Sequence, residues 1–299
     1  MLSINYATAA DKPAVMQLWA EAFGDEQPYF NWYFNTVYRP ERTLCLFGDG
    51  RLVSSLQYSP KQLSLHHSEL PVAYLVGVAT SKAYRGRGYA RKLLNYIRDE
   101  LKSSYQLLML YTDIPDFYRP LGFTHCYCLK RHTFLAASDM AMPQGWQLGS
   151  LSSQDIALYN DIYQQMTANM DGYIIRNSSN WREFIEDFLC DGGSLYFNGN
   201  AYLLWMIDNR QCRIKEIGYR QDKDLTAALQ LARYVAAREG YPAISWDAPL
   251  RVPLHDDKAP LIPHVMAVAT ADIKPAAALA QYTKQLFGDS SKLWVNEIT

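Results

Sequence analysis

The stretch from Val72 to Leu101 constrains this chain more than any other, because three local patterns follow one another there almost without a break. Val72 to Thr80 is nearly continuously apolar, which predicts a strand covered on both faces, as at the centre of a sheet. Tyr84, Arg85, Gly86, Arg87, Gly88, Tyr89 and Ala90 follow, and from Ala90 onwards Leu93, Leu94, Ile97 and Leu101 keep the spacing of one helix face. A strand, a glycine turn and a helix start predict an anion site. The N–H groups of a first helical turn lack partners, and the helix dipole favours negative charge beside them. Each dipole contribution is about 0.3–1 kcal/mol at an exposed position, so several N–H groups must act together. Charge-assisted hydrogen bonds from arginine add roughly 1.5–3 kcal/mol apiece before screening. Taken alone, two glycines fit equally well with an ordinary turn under a solvated basic surface. The three spaced glycines of a dinucleotide fingerprint are absent, as is the Gly-Lys-Ser/Thr ending of a triphosphate loop.

Around this stretch strands and helices alternate. Leu2 to Ala7 predicts a strand, and Asp11 and Pro13 open a helix with Val15, Leu18, Trp19 and Ala22 on its buried face. Gly24 ends that helix, and an aromatic one is expected over Pro28 to Val37. Strands at Thr43 to Phe47 and Leu52 to Tyr58 flank the turn Gly48, Asp49, Gly50. A strand-like run from Phe123 reaches Phe134, and Ala136 to Gly145 has the small residues and proline of a linker. At Trp146 the organisation restarts. A strand to Leu151, a cap at Ser152 or Ser153, and a helix face of Ile156, Tyr159, Ile162, Tyr163 and Met166 come first. A strand from Arg213 to Tyr219 and a helix from about Asp222 to Arg238 come later. With 299 residues and 49% apolar composition, two cores are expected. The expected division is a first domain at 1–135, a linker at 136–145, a second domain at 146–270 and a C-terminal extension at 271–299.

A formal net charge of -1 argues against a surface built for nucleic acid, so no nucleic-acid partner is expected. Cys45, Cys126, Cys128, Cys190 and Cys212 are odd in number and lack zinc-site spacing, which suits free thiols in a reducing compartment; no metal is expected. Cys126 and Cys128 are expected on one face of a strand as small buried residues. Met1 to Tyr6 has no signal-peptide pattern, and no run approaches the roughly 18 apolar residues of a membrane span. A cytoplasmic protein without a membrane partner is the expectation.

Arg85, Gly88 and Ala90 match the cofactor motif of the GNAT acetyltransferases: Gln or Arg, two residues, Gly, one residue, Gly or Ala. Downstream, Asp116 to Phe123 resembles that family's second signature, a tyrosine followed by a Gly-Phe pair before a strand. The resemblance implies an α/β (α+β) fold, with a mixed, mostly antiparallel central sheet flanked by helices. It also implies acetyl-CoA as co-substrate. Val78 and Thr80 would offer backbone groups to the pantetheine arm, and the loop Arg85, Gly86, Arg87, Gly88, Tyr89, Ala90 would hold the pyrophosphate. The family's tyrosine falls on Tyr118. A phenol with a reference pKa of about 10 can donate to a thiolate whose conjugate acid has a pKa of about 8.5. Packing beside Phe117 and Phe123 is its plainer role.

A free amine must then attack the thioester, with an N–H of the central strand, assigned to Val78 by position, donating to the carbonyl oxygen. Asp25, Glu26, Asp113, Asp116 and a water chain all stay open as the base. In the family, the region of Asp25 and Glu26 and of Trp32 and Tyr33 faces the acceptor. Acids beside aromatic rings suit a cationic amine, with a cation–π contribution of about 0.5–1 kcal/mol at exposed sites. A solvated loop before a core-facing aromatic stripe is the alternative there.

In the second half the corresponding position, Arg220 to Leu225, carries Asp222 and Asp224 and no glycine, so one cofactor per chain is expected. Two tandem GNAT-like domains with a degenerate second copy resemble the enhanced intracellular survival family. Its usual third, sterol-carrier-like domain does not fit into Ala271 to Thr299, and the expectation is that the Thr299 carboxylate has no catalytic part. Three readings follow. One is an acyl-CoA-dependent N-acetyltransferase acting on a small-molecule or peptide amine, another a non-catalytic acetyl-CoA sensor, and the third a tandem-GNAT aminoacyltransferase using charged transfer RNA. The particular amine, a preference for another acyl group and the oligomeric state are not readable from these residues.

Overall fold

In the computed structural model the apolar run is strand β4 (Ser68–Thr80) and the amphipathic run is helix α3 (Tyr89–Leu101); residues 1–168, 170–254, 256 and 258–288 are described. The contacts divide the chain into two units, Met1–Cys126 with Val265–Gly288, and Tyr127–His264. Thr299, whose carboxylate is expected to have no catalytic part, lies outside the described residues.

The first unit contains β1 (Leu2–Tyr6), β2 (Thr43–Gly48), β3 (Arg51–Leu65), β4 (Ser68–Thr80), β5 (Leu107–Leu110) and β6 (Thr124–His125). Its last strand, numbered β15 in chain order, is Met266–Ala269, and the sheet runs β1-β2-β3-β4-β5-β15-β6. Neighbours pair antiparallel except β4 and β5, which are parallel with Val72 opposite Leu107. A parallel pair needs a crossover, and α3 (Tyr89–Leu101) provides it, burying the predicted stripe Leu93, Leu94, Ile97 and Leu101. Helix α1 (Lys12–Phe23) ends at Gly24, whose φ of 94° permits the turn. The expected aromatic helix is α2 (Tyr29–Trp32) running into a π-helical turn, Tyr33–Val37. Phe30, Tyr33, Phe34 and Tyr38 form a core there with Ala7, Val15 and Cys45. A short helix α4 (Pro115–Tyr118) precedes β6.

The second unit contains β7 (Cys128–Leu135), β8 (Gln147–Leu148), β9 (Tyr173–Ile175), β10 (Ser194–Phe197), β11 (Ala201–Asp208), β12 (Gln211–Tyr219), β13 (Ala243–Ala248) and β14 (Leu261–Pro263). Its sheet order is β14-β7-β13-β12-β11-β10-β8. The helices are α5 (Ser153–Thr167), α6 (Ser178–Cys190) and α7 (Asp222–Arg238). Ser152 caps α5 as expected, its Oγ accepting from Asp155 N at 3.1 Å. The parallel pair is β12 with β13, and α7 carries the crossover. Each unit thus has a mixed, mostly antiparallel sheet flanked by helices, with one strand-helix-strand crossover, the tandem arrangement expected from the sequence.

The boundary differs from the sequence reading. The run from Phe123 to Phe134 is two strands in two sheets. β6 ends at His125 in the first, and β7 pairs with β13 and β14 in the second. Cys126 and Cys128 therefore do not share a strand; Cys126 is buried before the break and Cys128 is half-buried after it. The first sheet is completed by β15, placed between β5 and β6 and at most 1% exposed. The residues after 270 include α8 (Ala276–Phe287), which belongs to the first unit. Its Thr283 Oγ1 accepts from Ala269 N at 2.9 Å, and Leu279 lies against Gly122. Strand partnership is set by distant residues, so a four-residue apolar strand carries no sign of which sheet it joins. No helix among the described residues is long and apolar enough to cross a membrane.

Candidate functional site

Strands β4 and β5 pair only from Val72 and Leu107 to Tyr74 and Met109, although β4 continues to Thr80. On its other edge β4 stays paired with β3 through Thr80, apart from one bulge. Gln57 faces Val76 and Ser55 faces Ala79, so Gly77 and Val78 together oppose Leu56. Gly77 has φ +60°, and a Cβ there would lie 2.4 Å from the Trp19 ring. Only glycine admits this bend, and a bulge re-aims the groups that follow it. The next residue is Val78, half-buried.

Thr80 braces the turn that follows. Its Oγ1 lies 2.9 Å from Ser54 Oγ, which donates to Ala79 O at 2.7 Å. Its carbonyl accepts from Arg85 Nε at 3.1 Å, so that backbone acceptor, expected to face the pantetheine arm, is engaged within the loop. Glu21 of α1 fixes the start of the turn by accepting from Lys82 N and Ser81 Oγ.

Gly86 and Gly88 then take φ of 77° and 76°, and a Cβ on either would meet nothing within 4 Å. The chain needs glycine for this backbone, and the space above it is open. Gly88 is the N-cap of α3 and has no side-chain cap; the first turn has no acid, and Lys92 N reaches Gly88 O at 3.0 Å. The N–H groups of Tyr89, Ala90 and Arg91 precede that first closing bond and so have no intrahelical acceptor. Arg85, Arg87, Arg91 and Lys92 are exposed about this end. The Arg87 guanidinium lies 5.1 Å over the Tyr84 ring, and Tyr84 and Tyr89 are 6.4 Å apart.

Arg91 also lies 5.8 Å over the Phe117 ring, and Arg98 Nη1 donates to Leu121 O at 3.4 Å, which holds the α4 segment against α3. Tyr118 sits in that segment, 6% exposed, edge-on to Phe117 at 4.9 Å and Phe123 at 5.6 Å. Burial pushes its hydroxyl up to about 12, so it stays protonated at neutral pH. Of the acids held open as the base, Asp116 pairs with Arg119 and Asp113 accepts from Tyr111.

Of the residues expected to face an acceptor, Asp25 and Glu26 are exposed after α1, and Trp32 is half-buried beside Tyr29 at 5.9 Å. Tyr33 fits the alternative of a core-facing aromatic stripe. It is 2% exposed, its hydroxyl donates to Gln57 Oε1 at 3.0 Å, and its ring lies 4.6 Å from Trp19. It is a core residue behind the bulge, because the π-helical turn directs it inwards with Phe34. The sequence reading passed over Trp19, Glu21, Gln57 and Gly77 as parts of this region. Gly77 did leave a signal, a glycine inside an apolar strand.

At the corresponding position of the second unit, the start of α7 is closed. Asp224, 8% exposed, accepts from Gln221 N through Oδ2 at 3.0 Å, and Asp222 shares the first turn.

Residues 3–126 match the family described as acetyltransferase (GNAT) domain. No curated protein matches the chain in sequence. Among solved structures, a GCN5-related N-acetyltransferase from Kribbella flavida has a TM-score of 0.70 at 17% identity, over 90% of this chain and 71% of its own. A GCN5-related N-acetyltransferase from Anabaena variabilis has a TM-score of 0.70 at 15% identity, over 91% and 73%. Eis1 from Mycobacterium abscessus has a TM-score of 0.65 at 14% identity, over 90% and 74%. At these identities the structural likeness is one of fold.

Proposed function

From the premise that this chain belongs to the GNAT acetyltransferases through residues 3–126, we propose that it moves an acetyl group from acetyl-CoA to a primary amine by direct attack. The observation that carries this reading is the uncapped, acid-free start of α3 behind Gly86 and Gly88, with open space above both glycines. When bound, acetyl-CoA supplies an already activated thioester. The N–H groups of Tyr89, Ala90 and Arg91 hold its pyrophosphate, with Arg85 and Arg87 adding charge at the rim. The β4 edge left free by β5 receives the extended arm, and the Val78 N–H donates to the thioester oxygen as negative charge develops.

Tyr118 donates to the departing sulfur. Its hydroxyl, at about 12, is a weaker acid than a thiol of about 8.5, so full proton transfer is uphill and the donated hydrogen bond is its contribution. Exposed Asp25 and Glu26, with Trp32, favour a cationic acceptor. One cofactor binds per chain, since Asp224 holds the place an anion would need in the second unit.

A thiol-release screen across amine classes, with Tyr118→Phe as control, tests the reading, alongside calorimetry with acetyl-CoA. Turnover with at least one amine, reduced about ten- to hundredfold in kcat by Tyr118→Phe, is expected. Tight binding without turnover for any amine would turn the reading into that of a sensor, and no binding would end it.

A further inference from the structure

Gly77 meets Trp19 more closely than any side chain would allow. A Cβ on residue 77 would lie 2.4 Å from Trp19 Cζ3, 2.9 Å from Cε3 and 3.2 Å from Gln57 Nε2. The indole is itself clamped. Tyr33 lies 4.6 Å away at 31°, with Phe34 edge-on at 5.6 Å and Phe23 at 5.1 Å. Tyr33 is tied by its hydroxyl to Gln57 Oε1, and Gln57, 3% exposed, sits on β3 opposite Val76 at the edge of the bulge. Gln57 Nε2 is buried with no acceptor among the described residues, a cost that a cluster selected for stability alone would avoid. Residues from α1, the π-helical turn and β3, all of the first unit, therefore converge on one glycine.

A glycine in the left-handed region is free to take other conformations, so the bulge owes its shape to what presses on it. We propose that Trp19 is a positioning residue for acyl transfer, its indole wedged on Gly77 and so fixing the direction of the Val78 N–H, while Tyr33 and Gln57 hold the wedge. This rests on the acyltransferase reading given above. A misplacement of about 1 Å in a reacting geometry lowers rates by roughly 10²-fold, whereas pyrophosphate binding depends on the separate loop at 85–91. Loss of the wedge therefore acts on turnover and spares cofactor affinity.

Trp19→Leu, Trp19→Phe, Gly77→Ala and the double variant Trp19→Leu/Gly77→Ala test this in steady-state kinetics with an amine that the wild-type chain turns over. Trp19→Leu is expected to lower kcat at least tenfold with the calorimetric Kd for acetyl-CoA within twofold of wild type, and Trp19→Phe to recover most of the rate. The double variant is expected to lose no more than the worse single one, because both changes act on the same contact. Unchanged kcat in Trp19→Leu, or losses that multiply in the double variant, would overturn the proposal. Should Trp19→Leu fail to fold, Tyr33→Phe keeps the stack and frees only Gln57; it should lower kcat at least twofold at constant Kd, and an unchanged kcat sinks the idea equally. A wild-type chain that ignores acetyl-CoA would instead sink the acyltransferase reading beneath it.

Discussion

Helices α3 and α7 hold the same place in their units, each carrying the crossover of a parallel strand pair, but their first turns are built differently. Gly88 opens α3 with no side chain, no acid and a rim of arginines. Gln221 opens α7 with a capping box, in which the Asp224 carboxylate accepts from Gln221 N. In the second unit Arg176 and Glu216, 1% and 0% exposed, make a two-pronged ion pair at 2.8 and 2.9 Å, and Tyr202 donates to Glu216 at 2.6 Å. The Arg176 guanidinium lies 4.6 Å from Tyr163, 4.6 Å from Trp181 and 3.9 Å from Phe184. At these places the second unit meets its polar groups with its own residues, whereas the start of α3 leaves the N–H groups of Tyr89, Ala90 and Arg91 without an intrahelical acceptor. A capped helix is stabilised by about 1 kcal/mol; an uncapped one keeps its N–H groups for a ligand.

Four changes break or sharpen this contrast. The largest effect is expected from Glu216→Gln, which removes the carboxylate that pairs with buried Arg176 and should lower the unfolding free energy of its unit by about 3–5 kcal/mol in a urea titration. A loss under 1 kcal/mol would mean that the second unit is not held by its internal pairing. Next comes Gly88→Asp, which gives α3 an acid as α7 has. The left-handed backbone strains any side chain, aspartate less than most, and the added Cβ meets nothing, so the chain should fold with some loss of stability while its Kd for acetyl-CoA rises about hundredfold or more. Affinity retained in this variant would remove the anion site from the start of α3.

Asp224→Ala reverses the test. It should cost about 1 kcal/mol of stability and leave the calorimetric stoichiometry at one acetyl-CoA per chain, since Asp222 stays in the first turn and Arg220 is paired with Asp161. A second site appearing there would show that Asp224 alone separates the two units. The smallest change is sought in the pH profile. Burial raises Tyr118 to about 12, so its donor form persists and kcat should show no alkaline loss between about pH 7 and pH 10. A fall with a midpoint of about 10 would place the essential phenol in water.

Much of this was legible along the chain. Leu93, Leu94, Ile97 and Leu101 marked α3, Ser152 and Ser153 marked where the cap of α5 would fall, and the run from about Asp222 to Arg238 marked α7. The loop at 85–90 was visible because glycines, arginines and a helix start are all local features. For Tyr33 the sequence left an acceptor face and a core-facing stripe both open, because its neighbours Trp32 and Phe34 are aromatic too and only the π-helical turn tells which of them faces inwards. Glu21 and Gln57 were invisible for another reason. An acid late in α1 and an amide in β3 look ordinary until Lys82 N and the Tyr33 hydroxyl are brought to them.

The sequence by itself determined the local elements, the open helix start and its closed counterpart, because each depends on residues within a few positions of one another. Tertiary structure alone decided that Met266–Ala269 completes the first sheet, that β7 joins the second, and that Trp19 bears on Gly77. Those are pairings between residues far apart in the chain, selected by edges and volumes that exist only once the rest has folded.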